Sequence, residues 1–496
     1  MAIDRTRGEI QPLLPNGHRV KPLDKRVNPL FFLIVCGITA MAFDLGAYMA
    51  QAPQTAIFEQ IICRKHLEGR LNNIADVPLK DFCKSDLVQS ELALVLGYKD
   101  GLDVLPTLLL SLPYGVLLDH WGRKPVLYLC VLGILLAEVW IRLVCLFPSV
   151  LPLRLVWFSS FWKIIGGGDL MFSSVILTMV ADIFNEEERS TALFRIQSCV
   201  LIAEIVATPV SAYMMTFSDW IPYNLGLIIM VIGATPCIFL PETLKYSKSM
   251  RGSSEGGVDN ELTEPLKKTN TTQEILLRVH EFKDSIRFIW NDSNVFLMVI
   301  VMFVSILGRP QTTTLLLQYA SKKFDWSFAR SSLLITLRGI FSLINFLLVM
   351  PVLSVMSAKY FDLHGKFKDW RWSQIMGMLS VVGFLMIGIA PVPAVLTGGM
   401  VVASVGSAFV VTNLSLITAL VRPDHVGTLY SAISISRSLG QLFAGPFSAY
   451  LFQLGMHLGY TWIGLPFLFA AFFSFLATLA VWRTRLSRSE DQQSSS

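Results

Sequence analysis

Twelve stretches of apolar residues, each of a length that matches a lipid bilayer, dominate this sequence. They cover residues 29–52, 93–118, 125–147, 152–183, 193–216, 221–241, 293–319, 328–353, 374–391, 394–420, 430–452 and 460–482. A helix needs roughly 20 apolar residues to cross the hydrocarbon core. Inside that core every backbone N–H and C=O must find its partner within the protein, so only helices and closed barrels can span it. The stretches lack the two-residue alternation of barrel strands. The expected fold is therefore all-α, an integral membrane protein with twelve transmembrane helices. Composition agrees, with 53% hydrophobic and only 16% charged residues, more apolar surface than a fold in water can hide. Only Pro391-Val392-Pro393 separates the ninth and tenth stretches, so their boundary is soft.

The first 27 residues are polar and carry Arg5, Arg7, Arg19, Lys21, Lys25 and Arg26 without a cleavable signal pattern. Helix 1 is then the insertion signal, and the positive charges hold the N-terminus in the cytoplasm. An even number of crossings returns Arg483, Arg485 and Arg488 to the same side, where most of the 41 Lys and Arg fall. The net charge of +5 follows from this orientation. It implies the bilayer as partner and no nucleic acid. Cys36, Cys130, Cys145, Cys199 and Cys237 lie in apolar stretches, as buried thiols commonly do. Cys63 and Cys83 fall in the polar stretch between helices 1 and 2, on the oxidising exterior side, where a disulfide is expected as a loop staple.

The chain divides into two related parts. We read a cytoplasmic tail over 1–28, a six-helix bundle over 29–241, a cytoplasmic linker over 242–292, a second six-helix bundle over 293–482 and a tail over 483–496. The linker holds Arg251-Gly-Ser-Ser-Glu-Gly-Gly257 and Lys267-Lys-Thr-Asn-Thr-Thr272, a flexible composition. Its part 273–289 has helical spacing of apolar residues and is expected along the membrane surface. Pro53-Gln54-Thr55 is repeated as Pro310-Gln311-Thr312. Ala207-Thr-Pro-Val-Ser-Ala-Tyr213 of helix 5 is repeated as Ala444-Gly-Pro-Phe-Ser-Ala-Tyr450 of helix 11, with five of seven residues identical. Duplicated bundles that rock about a site at their interface are the basis of alternating access.

Between helices 2 and 3 the chain reads Gly115-Val-Leu-Leu-Asp119-His-Trp-Gly122-Arg123-Lys124. This resembles the signature loop of the major facilitator superfamily. Gly115 is expected to admit a neighbouring helix, Asp119 to meet a helix N-terminus, Gly122 to permit a tight turn, and Arg123 and Lys124 to anchor the cytoplasmic face. Ala181-Asp-Ile-Phe-Asn-Glu-Glu-Glu-Arg189 resembles the family's second acidic-arginine loop, and Leu240-Pro-Glu-Thr243 closes helix 6 as in many members. Ile164-Ile-Gly-Gly-Gly168, Tyr319-Ala-Ser-Lys-Lys-Phe324 and Gly427-Thr-Leu-Tyr430 resemble a fungal branch near the drug-exporting and folate-carrier-like members. The resemblance implies two pseudo-symmetric six-helix bundles and secondary transport. There are departures. Lys163 stands where exporters often carry arginine, and the antiporter motif of helix 5 survives only as Thr208-Pro209-Val-Ser-Ala-Tyr213. The second-half counterpart of the signature loop, 354–373, keeps Lys359, Lys366, Lys368 and Arg371 but lacks the glycine–arginine–lysine core.

A charge at the bilayer centre costs about 2.5–3.5 kcal/mol or more, so each needs a partner, water or a function. The candidates are Asp44, Asp103, Glu138, Arg142, Lys163, Asp169, Glu204, Arg309, Arg338 and Arg437. Glu138 and Arg142 share a helix face four residues apart and read as an in-helix pair. Lys163 and Asp169, six apart on a regular helix, would face different ways, each toward another helix. At 1.5 Å per residue, Glu204 and Arg338 both come to about mid-membrane, in opposite halves. They are the expected cavity residues, Glu204 being the first choice as proton carrier, since an apolar cavity favours the protonated carboxyl. Asp44 and Asp169 are second choices. Gln54, Gln311 and Gln318 would line the path or hold helix contacts. Gln441 stands in helix 11 where Glu204 stands in helix 5.

Nucleotide-binding, metal-ligand and nucleophile-elbow motifs are missing from the sequence, so neither an enzyme nor a cofactor is expected. The leading expectation is a monomeric, proton-coupled exporter of a small organic compound such as a drug or secondary metabolite. It would reside in the plasma membrane, or in the vacuolar membrane if Glu9-Ile-Gln-Pro-Leu-Leu14 is a sorting signal. The alternatives are a proton-coupled importer of a vitamin-like anion, which Arg338 and Arg437 would suit, and, in another class, a membrane-embedded enzyme or receptor.

Overall fold

The computed structural model describes residues 28–68, 82–184, 186–244, 293–307, 313–361, 365–421 and 426–484. Its helices group into twelve crossings, each coinciding with one apolar stretch of the sequence. In chain order α1 is Pro29–Glu68. Helix α2 is Asp86–Leu102 with Leu105–Trp121, α3 is Arg123–Leu146, and α4 is Leu153–Ile183. Helix α5 is Glu186–Met215 and α6 is Trp220–Phe239. Helix α7 is Ser293–Leu307 with Thr314–Phe324, α8 is Phe328–Ser357, and α9 is Gly365–Ile389. Helix α10 is Pro393–Thr418, α11 is Val426–Leu458 and α12 is Leu465–Arg483. Among the described residues nine crossings are long and apolar enough to span a bilayer unaided, and α2, bent by 56° near Pro113, makes a tenth. Pro113 lacks the N–H that would continue the helical ladder, a common cause of such bends.

Helix α1 packs along α5 and α6 in the N-terminal half. In the C-terminal half α9 packs on α10 and α12, and α7 on α11 and α12. The halves meet at two related seams, α2 against α11 and α5 against α8. The repeated heptapeptides lie in α5 and α11, with Pro209 and Pro446 inside the helices. At the α2–α11 seam the backbones nearly touch. A Cβ on Gly97 would lie 2.6 Å from the Gly445 carbonyl oxygen, and one on Gly445 would lie 2.3 Å from that of Gly97. Small residues at such crossings are a general device for close helix packing in lipid.

Several expectations need correction. Helix α1 runs 40 residues, well past the end of its apolar stretch at 52. At 1.5 Å per residue it is about 60 Å long, twice the hydrocarbon core, and its last turns project beyond the exterior face. Ile57, Phe58 and Ile62 are buried there, and this packing holds the helix together where hydropathy fails. Cys63 therefore sits on α1 rather than in a loop, and it is disulfide-bonded to Cys83.

On the cytoplasmic side Gly122 has φ 107°, which favours glycine, and a Cβ there would lie 2.4 Å from the Glu242 carboxylate. Glu242 accepts the backbone N–H groups of Arg123 (2.9 Å) and Lys124 (3.1 Å), capping α3. The carboxylate seen at this helix N-terminus is thus Glu242, while Asp119 accepts from Arg123 Nη1 at 2.9 Å. Arg123 is buried, bonding also to Asp182 (3.1 Å) and the Leu118 carbonyl (2.6 Å). Lys124 reaches the Ile238 carbonyl. Among the described residues Gly115 admits no neighbour: a Cβ there would meet none of their atoms within 4 Å, because the bent lower part of α2 leaves that side open. Glu242 and Thr243, read as the start of the linker, are fixed to the N-terminal half, with Thr243 fully buried and bonded to Asp182. The linker beyond Leu244 and the dileucine pattern lie outside the described residues.

A charged central cavity

Between the halves lies a cavity of about 440 Å³. Residues of α1 to α4 supply its ionisable wall: Asp44, Lys99, Asp100, Asp103, Glu138, Lys163 and Asp169. The C-terminal half adds Thr313, Thr314 and Arg338. A neighbouring chamber of about 220 Å³ is lined by Thr107, Asp169, Leu170 and Gln441 among others. Counting from the exterior end of α2 at Asp86, Thr107 is about 30 Å down, so this chamber leads toward the cytoplasm.

Lys163 is the hub. Its Nζ donates to Asp169 at 2.7 Å and lies 3.1 Å from Asp103. Asp103 also receives Lys99 at 3.1 Å and the Ser160 hydroxyl at 3.0 Å. Direct pairing of Lys163 with Asp169 contradicts the expectation that the two face apart. The regular helix that expectation assumed is broken. Residues Lys163–Ile165 form a 3-10 turn, and Gly167 and Gly168 have φ 78° and 84° before α-helix resumes at Asp169. Gly166 presses against Cys130 of α3, where its Cβ would fall 2.2 Å from the Cys130 Cα. The glycine triplet thus lets α4 approach α3 and turns two remote side chains toward each other.

Glu204 and Arg338 meet across the α5–α8 seam, with Arg338 Nη2 and Nε donating to Glu204 Oε1 at 2.6 and 3.2 Å. Glu204 is buried, and Arg338 reaches the cavity wall. Depth counting along the helices did bring these two to one level. The Thr208 and Thr336 hydroxyls pair beside Glu204. Glu138 and Arg142 pair within α3 at 2.6 Å, and Arg142 also donates to the Tyr223 carbonyl. Asp44, by contrast, has no hydrogen bond or ion pair among the described residues. Gln54 lines the cavity with its side-chain N–H group buried and without a partner among the described residues. Gln318 lies above, donating to the Gln89 carbonyl at 2.6 Å.

Arg437 is exposed and does not line the cavity. It shares the stripe of α11 that carries Gln441 and Gly445, one turn nearer the cytoplasm, where the halves have diverged. Arg309 and Gln311 lie outside the described residues. Hence an anion would find neither proposed arginine free: Arg338 is neutralised by Glu204, and Arg437 is elsewhere. Sequence reasoning missed Lys99 and Asp100, although two charges inside the apolar stretch 93–118 were a usable signal. It also missed Gln51, which donates to the Thr313 and Thr314 hydroxyls across the halves. An uncharged residue gave no signal for that.

Hydrogen bonds and ion pairs between described residues of the two halves run from mid-depth (Gln51, Glu204, Thr208) to the exterior face (Gln89, Lys84, Asp86). The exterior side is pinned shut and the chambers descend toward the cytoplasm, an inward-facing arrangement.

A family model described as Major Facilitator Superfamily matches residues 93–444. An efflux pump of Aspergillus flavus, ustT, is 34% identical over 90% of this chain and 86% of its own length. An MFS efflux pump of Emericella nidulans, atnC, is 31% identical over 94% of this chain and 90% of its own. Among solved structures the nucleoside transporter NupG superposes with a TM-score of 0.60 at 13% identity, covering 92% of this chain and all of that one. That likeness concerns the fold.

Proposed function

The chain belongs to the major facilitator superfamily and is a multi-pass membrane transporter, and on that premise we propose that it exports a small organic compound against its gradient in exchange for protons. The names of the two relatives support export. The observation that carries proton coupling is Asp44. It is a half-buried carboxylate in the cavity wall with no ion pair or hydrogen bond among the described residues, whereas Asp103 and Asp169 share Lys163, Glu204 is held by Arg338, and Asp100 follows Lys99 on α2. A carboxylate already satisfied by a fixed cation gains little from a proton, and an unpaired one in a confined cavity gains much. Asp44 therefore replaces Glu204 as the first choice of proton carrier. In the inward-facing arrangement Asp44 releases its proton to the cytoplasm and substrate enters beside it, with the Gln54 amide as a donor. The return half of the cycle exposes both to the exterior. Glu204–Arg338 serves as a mid-depth tie between the rocking halves. We assign the chain to the plasma membrane as a monomer, with its two bundles separated by a linker that begins after Thr243 and ends at 292.

Deleting the gene is expected to raise the intracellular level of one compound, identified by comparing metabolite profiles of the deleted and complemented strains. With that compound in proteoliposomes, Asp44→Asn should abolish accumulation driven by a pH gradient while leaving energy-independent exchange in place. Gradient-driven accumulation by the Asn variant would refute Asp44 as the carrier.

A further inference from the structure

Above the cavity a second polar cluster closes the exterior side, apart from the path of proton and substrate. Lys84 is its centre. Its Nζ lies 2.7 Å from Glu59 of α1, donates to the Ser321 hydroxyl of α7 at 2.6 Å, and sits 4.4 Å from the centre of the Phe328 ring of α8. Glu59 is buried and also accepts from Gln89. Gln89 donates in addition to the Cys83 carbonyl at 3.0 Å. Lys322 adds a second tie from the C-terminal half, donating to the Lys84 carbonyl and lying 2.7 Å from Asp86.

Two features single out this cluster. Cys63 stands one helical turn beyond Glu59 on the same face of α1, and it is bonded to Cys83, the residue before Lys84. The disulfide and Gln89 together hold the chain so that the lysine lies over Glu59. Moreover, among the described residues Lys84 keeps its carboxylate partner within its own half and reaches across the seam only to neutral groups, a hydroxyl and a ring. Parting the halves at that point separates no ion pair, so the bond is strong enough to select a closed state and weak enough to open in each cycle. The Lys322–Asp86 pair does cross the seam, but Asp86 is 54% exposed, where water screens such a pair.

We propose that Lys84 is the exterior gate of this transporter, seated by the Cys63–Cys83 bond, and that loss of either the lysine or its seat shifts the resting protein from inward-facing toward outward-facing. The proposal rests on alternating access and not on proton coupling or on the identity of the substrate.

The test is hydrogen–deuterium exchange of the full chain in lipid nanodiscs, without substrate. Lys84→Met should accelerate exchange in peptides covering Thr314–Phe324 by roughly tenfold or more, the shift that one charge-assisted hydrogen bond represents. Peptides around Thr107 and Asp169 should slow at the same time. Lys84→Arg, which keeps the donor, should behave as the parent. The C63A/C83A double variant should move the same peptides in the same direction, and adding it to Lys84→Met should bring no further change. Unchanged exchange in Lys84→Met, which retains the disulfide and its fold, would overturn the gate. Full additivity of the cysteine and lysine variants would overturn the seating role.

Discussion

The two halves share a scaffold and differ in how they are wired. On the cavity wall the N-terminal half sets three cation–carboxylate contacts around Lys163 and Asp103, while the C-terminal half offers the Thr313 and Thr314 hydroxyls and one arginine. The cytoplasmic loops repeat the contrast. Arg123 joins Asp119 and Asp182 by ion pairs. Its counterpart region in the other half is tied by Trp370 Nε1 to the Val481 carbonyl, Trp372 Nε1 to Ser357, and Lys368 to the Ser354 hydroxyl. Lipid imposes the same demand on both halves, that backbone groups be satisfied and helices pack, which keeps Pro209 and Pro446 in matching places. It imposes nothing on the lining of a water-filled cavity, so the chemistry was free to concentrate on one side.

That contrast can be broken experimentally, beginning where the effect is largest. Lys163→Ala removes the cation that Asp103 and Asp169 share, leaving Asp103 to Lys99 and the 57% exposed Asp169 to water. Breaking a buried ion pair from one side costs up to about 3–5 kcal/mol, lessened here by Lys99 and by water at Asp169, so thermal unfolding of the detergent-solubilised protein should drop, with Lys163→Arg recovering part of the loss. A normal unfolding temperature for the alanine variant would mean the network is not structural. Next, Glu204→Gln leaves Arg338 without its carboxylate, and Arg338→Gln leaves Glu204 without its guanidinium. Each should slow transport by roughly tenfold, the scale of one charge-assisted hydrogen bond. The double Gln variant should transport faster than either single one, a coupling measured by a double-mutant cycle. Simple additivity would remove the tie between halves. The smallest effect belongs to Arg437→Gln. An exposed arginine with no partner among the described residues should change unfolding stability by less than about 0.5 kcal/mol, and a larger change would show that the C-terminal half carries hidden charge chemistry.

How far the sequence alone could reach follows from what each inference relied on. The twelve crossings were legible because hydrocarbon thickness is a fixed ruler. Glu204 and Arg338 could be brought to one depth by counting residues, because α5 and α8 are regular from their ends to those positions. The Lys163–Asp169 contact was hidden, since Gly167 and Gly168 abolish the very period used to separate the two side chains. Lys84 and Glu59 were hidden for another reason. Nothing in hydropathy shows that α1 continues beyond the membrane, so no face of α1 was available there to receive a lysine.

The cap that Glu242 places on α3 joins residues about 120 positions apart. A ribosome making this chain inserts α3 long before Glu242 leaves the exit tunnel. Until then the first N–H groups of α3 and the Arg123–Asp182 junction wait for their last member. The cytoplasmic face of the first bundle is therefore completed in one late step, as α6 is delivered, and a nascent chain halted before residue 242 would hold five crossings without that lock.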